Sequence, residues 1–85
     1  MYRRQLTENF KKDTKKIKGN SLLGKRLQKK MVEVLENPHH YKPLRNVLKN
    51  RRRVHIDSFV LIFELNEVER VVIFRQFKHH DNAYK

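Results

Sequence analysis

The chain has 85 residues with 21 Lys and Arg against 9 Asp and Glu, giving a formal net charge of +12 and a pI near 10.4. A chain of that length has room for one domain, residues 1–85, and buries only about 60% of its unfolded surface. Cysteine is absent, which excludes disulfides and thiolate metal sites, and no apolar run approaches the roughly 20 residues that span a bilayer or forms a leader at the N-terminus, so a cytoplasmic protein is expected.

A field this positive favours a polyanion, and nucleic acid is the commonest in a cell. A membrane surface fits less well, because polybasic peripheral proteins add an apolar or lipid anchor. An acidic protein partner would exploit the same charge.

Residues 2–6, YRRQL, alternate weakly and predict a short edge strand. TENFKKDTKKI (7–17) predicts a helix with Thr7 as N-cap and Phe10 and Ile17 on one face. KGNS breaks it, with Gly19 as the expected C-cap and Asn20 or Ser21 opening a second helix over SLLGKRLQKKMVEVLEN (21–37). Leu23, Leu27, Met31, Val34 and Leu35 follow three- and four-residue steps there, and the other face is largely Lys, Arg and Gln. Asn37 and Pro38 end it. HHYKPLRNVLKN reads as a loop whose Leu44, Val47 and Leu48 tuck under a sheet. Three strands follow near 51–57, 59–65 and 70–77, rich in Val, Ile and Phe. The economical arrangement is α+β: two N-terminal helices packed on one face of a small antiparallel sheet of three to four strands.

The pleat makes a sharper statement. With Asp57-Ser58 as a two-residue turn, Ile56 pairs with Phe59 and Val54 with Leu61 on the helix side. Arg53 and His55 then point to the opposite face with Val60, Ile62 and Glu64. Val71, Ile73 and Phe77 would join that open face and call for a partner to cover it. The third strand runs back beside the second, so His79, His80 and the DNAYK tail arrive at the same end of the sheet as His55 and Asp57.

Histidine, Asp, Arg, Tyr and Lys converging on a basic surface suit RNA cleavage. RNA supplies its own nucleophile, the 2′-hydroxyl; the protein must supply a base, an acid and cations for the phosphorane charge. Imidazole, with an ordinary pKa near 6.5, serves either proton role near neutrality. Arg53 or Lys85 could hold phosphate oxygens, Asp57 could orient His55 or His80, and Tyr84 could stack on a base. No metal or other cofactor is called for. Adjacent histidines diverge, and without Cys or an i,i+4 partner His39-His40 and His79-His80 make a poor zinc site. His39 and His40 read as solvent-exposed loop residues.

The order of parts resembles the RelE/ParE superfamily, the toxin half of type II toxin–antitoxin modules. The resemblance runs through VEVLENP, KPLRN, RRVHIDSFVLIFEL and VVIFRQFKHHDNAY, and is greatest to the histidine-bearing RelE/YafQ branch. In that branch Arg-x-His opens the strand, an acid follows, and a C-terminal His stands four residues before an aromatic: here Arg53, His55, Asp57, His80 and Tyr84. The resemblance implies a metal-independent mRNA interferase acting on the translating ribosome, with Lys42, Arg45, Tyr84 and Lys85 against the RNA. It also implies an acidic antitoxin bound in a hetero-oligomer. Asn46 stands where the family has Gly, and Lys42 where some relatives have His, so which histidine is base and which acid stays open. ParE-like members share the fold and act on gyrase without a catalytic set. A plain basic RNA- or ribosome-binding module is the third reading.

Overall fold

Side-chain caps open the two long helices. In the computed structural model, which describes residues 1–44 and 50–83, Thr7 Oγ1 accepts the Phe10 amide at 3.1 Å and Asn20 Oδ1 accepts the Leu23 amide at 3.1 Å. Helix α1 spans Glu8–Lys16 and α2 spans Ser21–Glu36. Gly19 is not the cap the spacing suggested. The amides of Ile17 and Lys18 turn back to the carbonyls of Thr14 and Lys15, closing α1 in a tight turn at Ile17, and no glycine takes a positive φ. A single 3₁₀ turn, Pro38–His40, follows α2.

Four strands form one sheet: β1 (Arg3–Leu6), β2 (Arg51–Ile56), β3 (Phe59–Asn66) and β4 (Val71–His79), in the order β1-β4-β3-β2. The pairs β2–β3 and β3–β4 are antiparallel, as expected, whereas β1 lies parallel to β4 and makes the sheet mixed. A short helix, α3 (His80–Ala83), ends the described chain. The core lies between the sheet and the two long helices. Ile56, Leu61, Phe63, Leu65, Val72, Phe74 and Phe77 meet Phe10, Leu23, Leu27, Met31, Val34 and Leu35; each such side chain contributes about 1.5–3 kcal/mol when buried. Among the described residues no helix is long and apolar enough to cross a membrane.

The expected hairpin register holds: Ile56 pairs with Phe59, Val54 with Leu61, and Arg53 and His55 stand opposite Ile62 and Val60. Asp57 takes the positive φ (54°) that the two-residue turn needs. One assignment is overturned. Phe77 lies on the helix side, 1% exposed, because Ile62 pairs with Gln76 but Phe63 with Phe74, leaving Arg75 as an extra residue in β4. Such a bulge reverses the facing of everything after it. The open face is also less bare than the alternation suggests. Val60 and Ile62 are buried there under Ala83 and Leu44, while Val71 and Ile73 stay half-buried. Val47 and Leu48 lie outside the described residues.

Strand β4 outruns β1, whose last partner is Phe74. Beyond it, α1 completes the edge. Thr7 Oγ1 donates to the Arg75 carbonyl at 2.9 Å, and buried Asp13 accepts the Phe77 amide at 2.9 Å and the Lys78 ammonium at 2.8 Å. At the other end of the sheet the Tyr2 hydroxyl donates to Glu67, His39 lies 3.0 Å from the same carboxylate, and Arg70 stacks over the Tyr2 ring at 4.3 Å. The bond from Tyr2 holds the Glu67 carboxyl below the usual carboxylate range, with His39 adding to it, and pushes the Tyr2 phenol up.

Two outcomes follow. Asp13→Ala leaves the Phe77 N–H unpaired and should cost about 1.5–3 kcal/mol in urea unfolding, with Asp13→Asn falling between it and wild type; a loss under about 0.5 kcal/mol would mean water replaces the carboxylate. A depressed Glu67 stabilises the fold above the unfolded carboxylate range and loses that contribution as pH falls through its folded value. Tyr2→Phe should therefore melt below wild type at neutral pH, with a gap that narrows in acid. A gap independent of pH would show that the carboxylate plays no part.

Candidate functional site

The end of the sheet where β2 turns into β3 and β4 runs out carries two histidines from distant parts of the chain. His55 is exposed on the open face opposite Val60. His80 opens α3, and its amide donates to the Ser58 carbonyl at 2.8 Å, tying β4's end to the hairpin turn. The two imidazole rings stand 5.9 Å apart, centroid to centroid, tilted by 35°. Two further contacts seat α3: Ala83 packs on Val60 and Ile62, and Gln76 Nε2 donates to the Ala83 carbonyl at 2.9 Å.

Arg53 is exposed on the same strand face as His55, two residues earlier. Its amide donates to the Lys42 carbonyl at 3.3 Å, so Lys42 runs beside it along the outer edge of β2. Asp57 is placed differently from the orienting role suggested for it. Its carboxylate takes two hydrogen bonds, at 2.8 and 2.7 Å, from the Arg26 guanidinium of α2, and so braces the turn against the helix. Arg45, Tyr84 and Lys85 lie outside the described residues. His39 and His40 sit on the 3₁₀ turn, His39 against Glu67 and His40 edge-on to Tyr41.

Three residues without an assigned part in the sequence reading belong to this site's frame. Asp81 lies 3.8 Å from His80 Nδ1 and 3.6 Å from His79 Nδ1; its position directly after two histidines was the available signal. Gln76 and Arg26 left no local signal, because their roles depend on tertiary placement. On the α2 side, Lys30 donates to Glu33 at 2.8 Å, which raises the lysine and lowers the carboxyl, keeping both charged. Further up the open face Glu64 sits between Arg51 (3.5 Å) and Arg75 (3.4 Å). Among the described residues no three His, Cys, Asp or Glu side chains gather as a metal cage.

Chemically, two imidazoles with centroids 5.9 Å apart can both reach one phosphate group lying against them. The Arg53 guanidinium on the same face favours an anion at this end of the sheet.

Comparison with known proteins gives a consistent family. The profile described as ParE toxin of the type II toxin–antitoxin system parDE matches residues 5–84. A protein of Methanocaldococcus jannaschii with the provisional name toxin RelE4 is 51% identical over 76 residues, 88% of this chain and 73% of that one. The intact E. coli RelBE toxin–antitoxin complex contains a chain that superposes with a TM-score of 0.81 at 25% identity, covering 93% of this chain and 96% of that one. The E. coli DinJ–YafQ complex gives 0.82 at 18% identity with both chains fully covered, a likeness of fold.

Gln76→Leu removes the bond that ties the C-terminal end of α3 to β4 and should loosen the helix. Removing one such hydrogen bond costs about 0.5–1.5 kcal/mol, so the His80 amide should exchange up to roughly tenfold faster while β2–β3 amides keep their protection. Unchanged protection at His80 would show that the other contacts of α3 seat it without this bond.

Proposed function

This chain belongs to the ParE toxin family of type II toxin–antitoxin systems, within the RelE/ParE superfamily, and on that premise we propose that it is an endoribonuclease that cuts mRNA on the translating ribosome. The observation that carries this reading is the pairing of His55 and His80 across the end of the sheet. One imidazole takes the proton of the 2′-hydroxyl, and the 2′-oxygen attacks the adjacent phosphorus. The P–O5′ bond breaks, and the leaving 5′-oxygen takes a proton from the other imidazole, held as imidazolium. The products are a 2′,3′-cyclic phosphate and a 5′-hydroxyl, and the second histidine ends neutral as the first ends charged.

Arg53 faces the charge that builds on the phosphate oxygens, a role worth several kcal/mol in enzymes of this kind. Lys42, beside it, meets the neighbouring phosphate. Asp81 stands beside His80, 3.8 Å from its Nδ1, and Asp57 acts through the turn it braces. Tyr84, Lys85 and Arg45 remain RNA contacts by proposal: a ring for stacking and two cations for the backbone. The step as written needs no metal ion.

The RelBE and DinJ–YafQ structures are toxin–antitoxin complexes, and we extend that partner to this chain. An acidic antitoxin covering half-buried Val71 and Ile73, with Arg51 and Arg75 alongside, would bury the remaining apolar surface and cancel charge. Ile73→Glu should then weaken the complex far more than Lys12→Glu on α1; equal affinities would place the partner elsewhere.

The test of activity is primer extension on a translated message after brief induction. His55→Ala and His80→Ala should each lose about 10²–10⁴-fold in cleavage, and His39→Ala, at the other end of the sheet, should cut like wild type. The ParE name of the matched profile favours a rival, a toxin acting through protein contacts. Growth arrest that persists undiminished in both His55→Ala and His80→Ala would establish the rival instead.

A further inference from the structure

Next to the histidine pair, on the α1 side of β4, lies a cleft of about 480 Å³. Phe59, Phe77 and Ile17 form its floor, and Lys16, His79 and Asn82 its rim. Phe59 and Phe77 stack at 5.0 Å and 23°, and His79 stands edge-on to Phe59 at 5.6 Å and 76°. Aromatic rings under a cationic and amide rim have the chemistry of a site for a base and its phosphate: every base offers a π-face to stack, Asn82 can both donate and accept, and Lys16 meets the anion.

We propose that this cleft binds one unpaired nucleotide flanking the scissile phosphate, on the same RNA strand. The inference rests on the ribonuclease reading. Continuity supports it: the cleft opens at the same end of the sheet as the histidine pair but on its helix side, with His79 lining it and His80, the next residue, beside His55, so a strand lying over the pair enters the cleft by turning around the end of β4. The two flanks are alike in charge and differ in surface. On the opposite flank, beside α2, Arg26 is paired with Asp57 and Lys30 with Glu33, and Lys29 remains as an exposed cation. That flank has no aromatic floor. In the cleft Lys78 is neutralised by buried Asp13, whereas Lys16 is exposed on the last turn of α1. Of the two flanks, this one offers both stacking surface and a cation.

The test is an NMR titration of the intact protein with a short single-stranded RNA whose 2′-hydroxyls are methylated, so that it binds without being cut. Resonances of Lys16, Phe59, His79 and Asn82 should move together with those of His55 and His80. Phe59→Leu and Lys16→Glu should each weaken binding roughly tenfold, within the range stacking on one base provides, while the charge-matched Lys12→Glu on α1's outer surface should change it far less. Shifts confined to His55 and His80, or equal affinities for Lys16→Glu and Lys12→Glu together with wild-type binding by Phe59→Leu, would overturn the proposal. So would cleft shifts that appear only with a peptide from a protein partner. Parallel cleavage of the unmethylated message separates the two readings: cleft shifts without cleavage would sink the ribonuclease reading alone, and cleavage without cleft shifts would sink the cleft alone.

Discussion

Everything at this site depends on the register of β4 against β3. The bond from the His80 amide to the Ser58 carbonyl exists only because Phe59 pairs with His79, and that pairing exists only because Arg75 is bulged out of the ladder. Without the extra residue, Phe77 would face the open side and the whole end of β4 would turn over. A buried phenylalanine is worth about 1.5–3 kcal/mol, so inward-facing Phe77 stabilises the bulged register. Asp13 reinforces it from the edge by accepting the Phe77 amide. Core packing therefore sets the positions of two imidazoles that themselves contribute little to the core.

Charge is organised to the same end. Eight of the nine carboxylates contact a cation, a histidine or a tyrosine hydroxyl: Glu8, Asp13, Glu33, Asp57, Glu64, Glu67, Glu69 and Asp81. Most of these pairs are exposed and each stabilises the fold by no more than about 1 kcal/mol. Their larger effect is on the field. With the acids engaged inside the molecule, a surplus of Lys and Arg faces outward and gives the surface a strongly positive field.

Much of this was readable from the residues, and the gaps have physical causes. The hairpin register followed from strict alternation around a two-residue turn, and it carried the convergence of His55 with His80. The amphipathic stripe of α2 was equally plain. The bulge was not, because it violates the alternation on which strand reading rests; Phe74 and Phe77, three apart in an otherwise alternating strand, were its only trace. Asp13 shared a helical face with Phe10 and Ile17, a sign that its carboxylate would be buried and bonded. The parallel partner of β1, the tether at Gln76 and the Arg26–Asp57 pair depend on tertiary placement and left no local pattern. Helix α3, four residues long, is too short to show a period, so residues 81–83 read as part of a tail.

The central claim is that His55 and His80 act as one acid–base unit because the β3–β4 register holds them together. Single-turnover cleavage of a translated message by wild type, His55→Ala, His80→Ala and the double variant measures that directly. Groups that work as a unit are strongly non-additive, so the double variant should lose about as much as the worse single one, on the order of 10²–10⁴-fold. Losses that multiply would mean the two imidazoles contribute independently, and no loss from either would mean that the chemistry lies elsewhere on the chain.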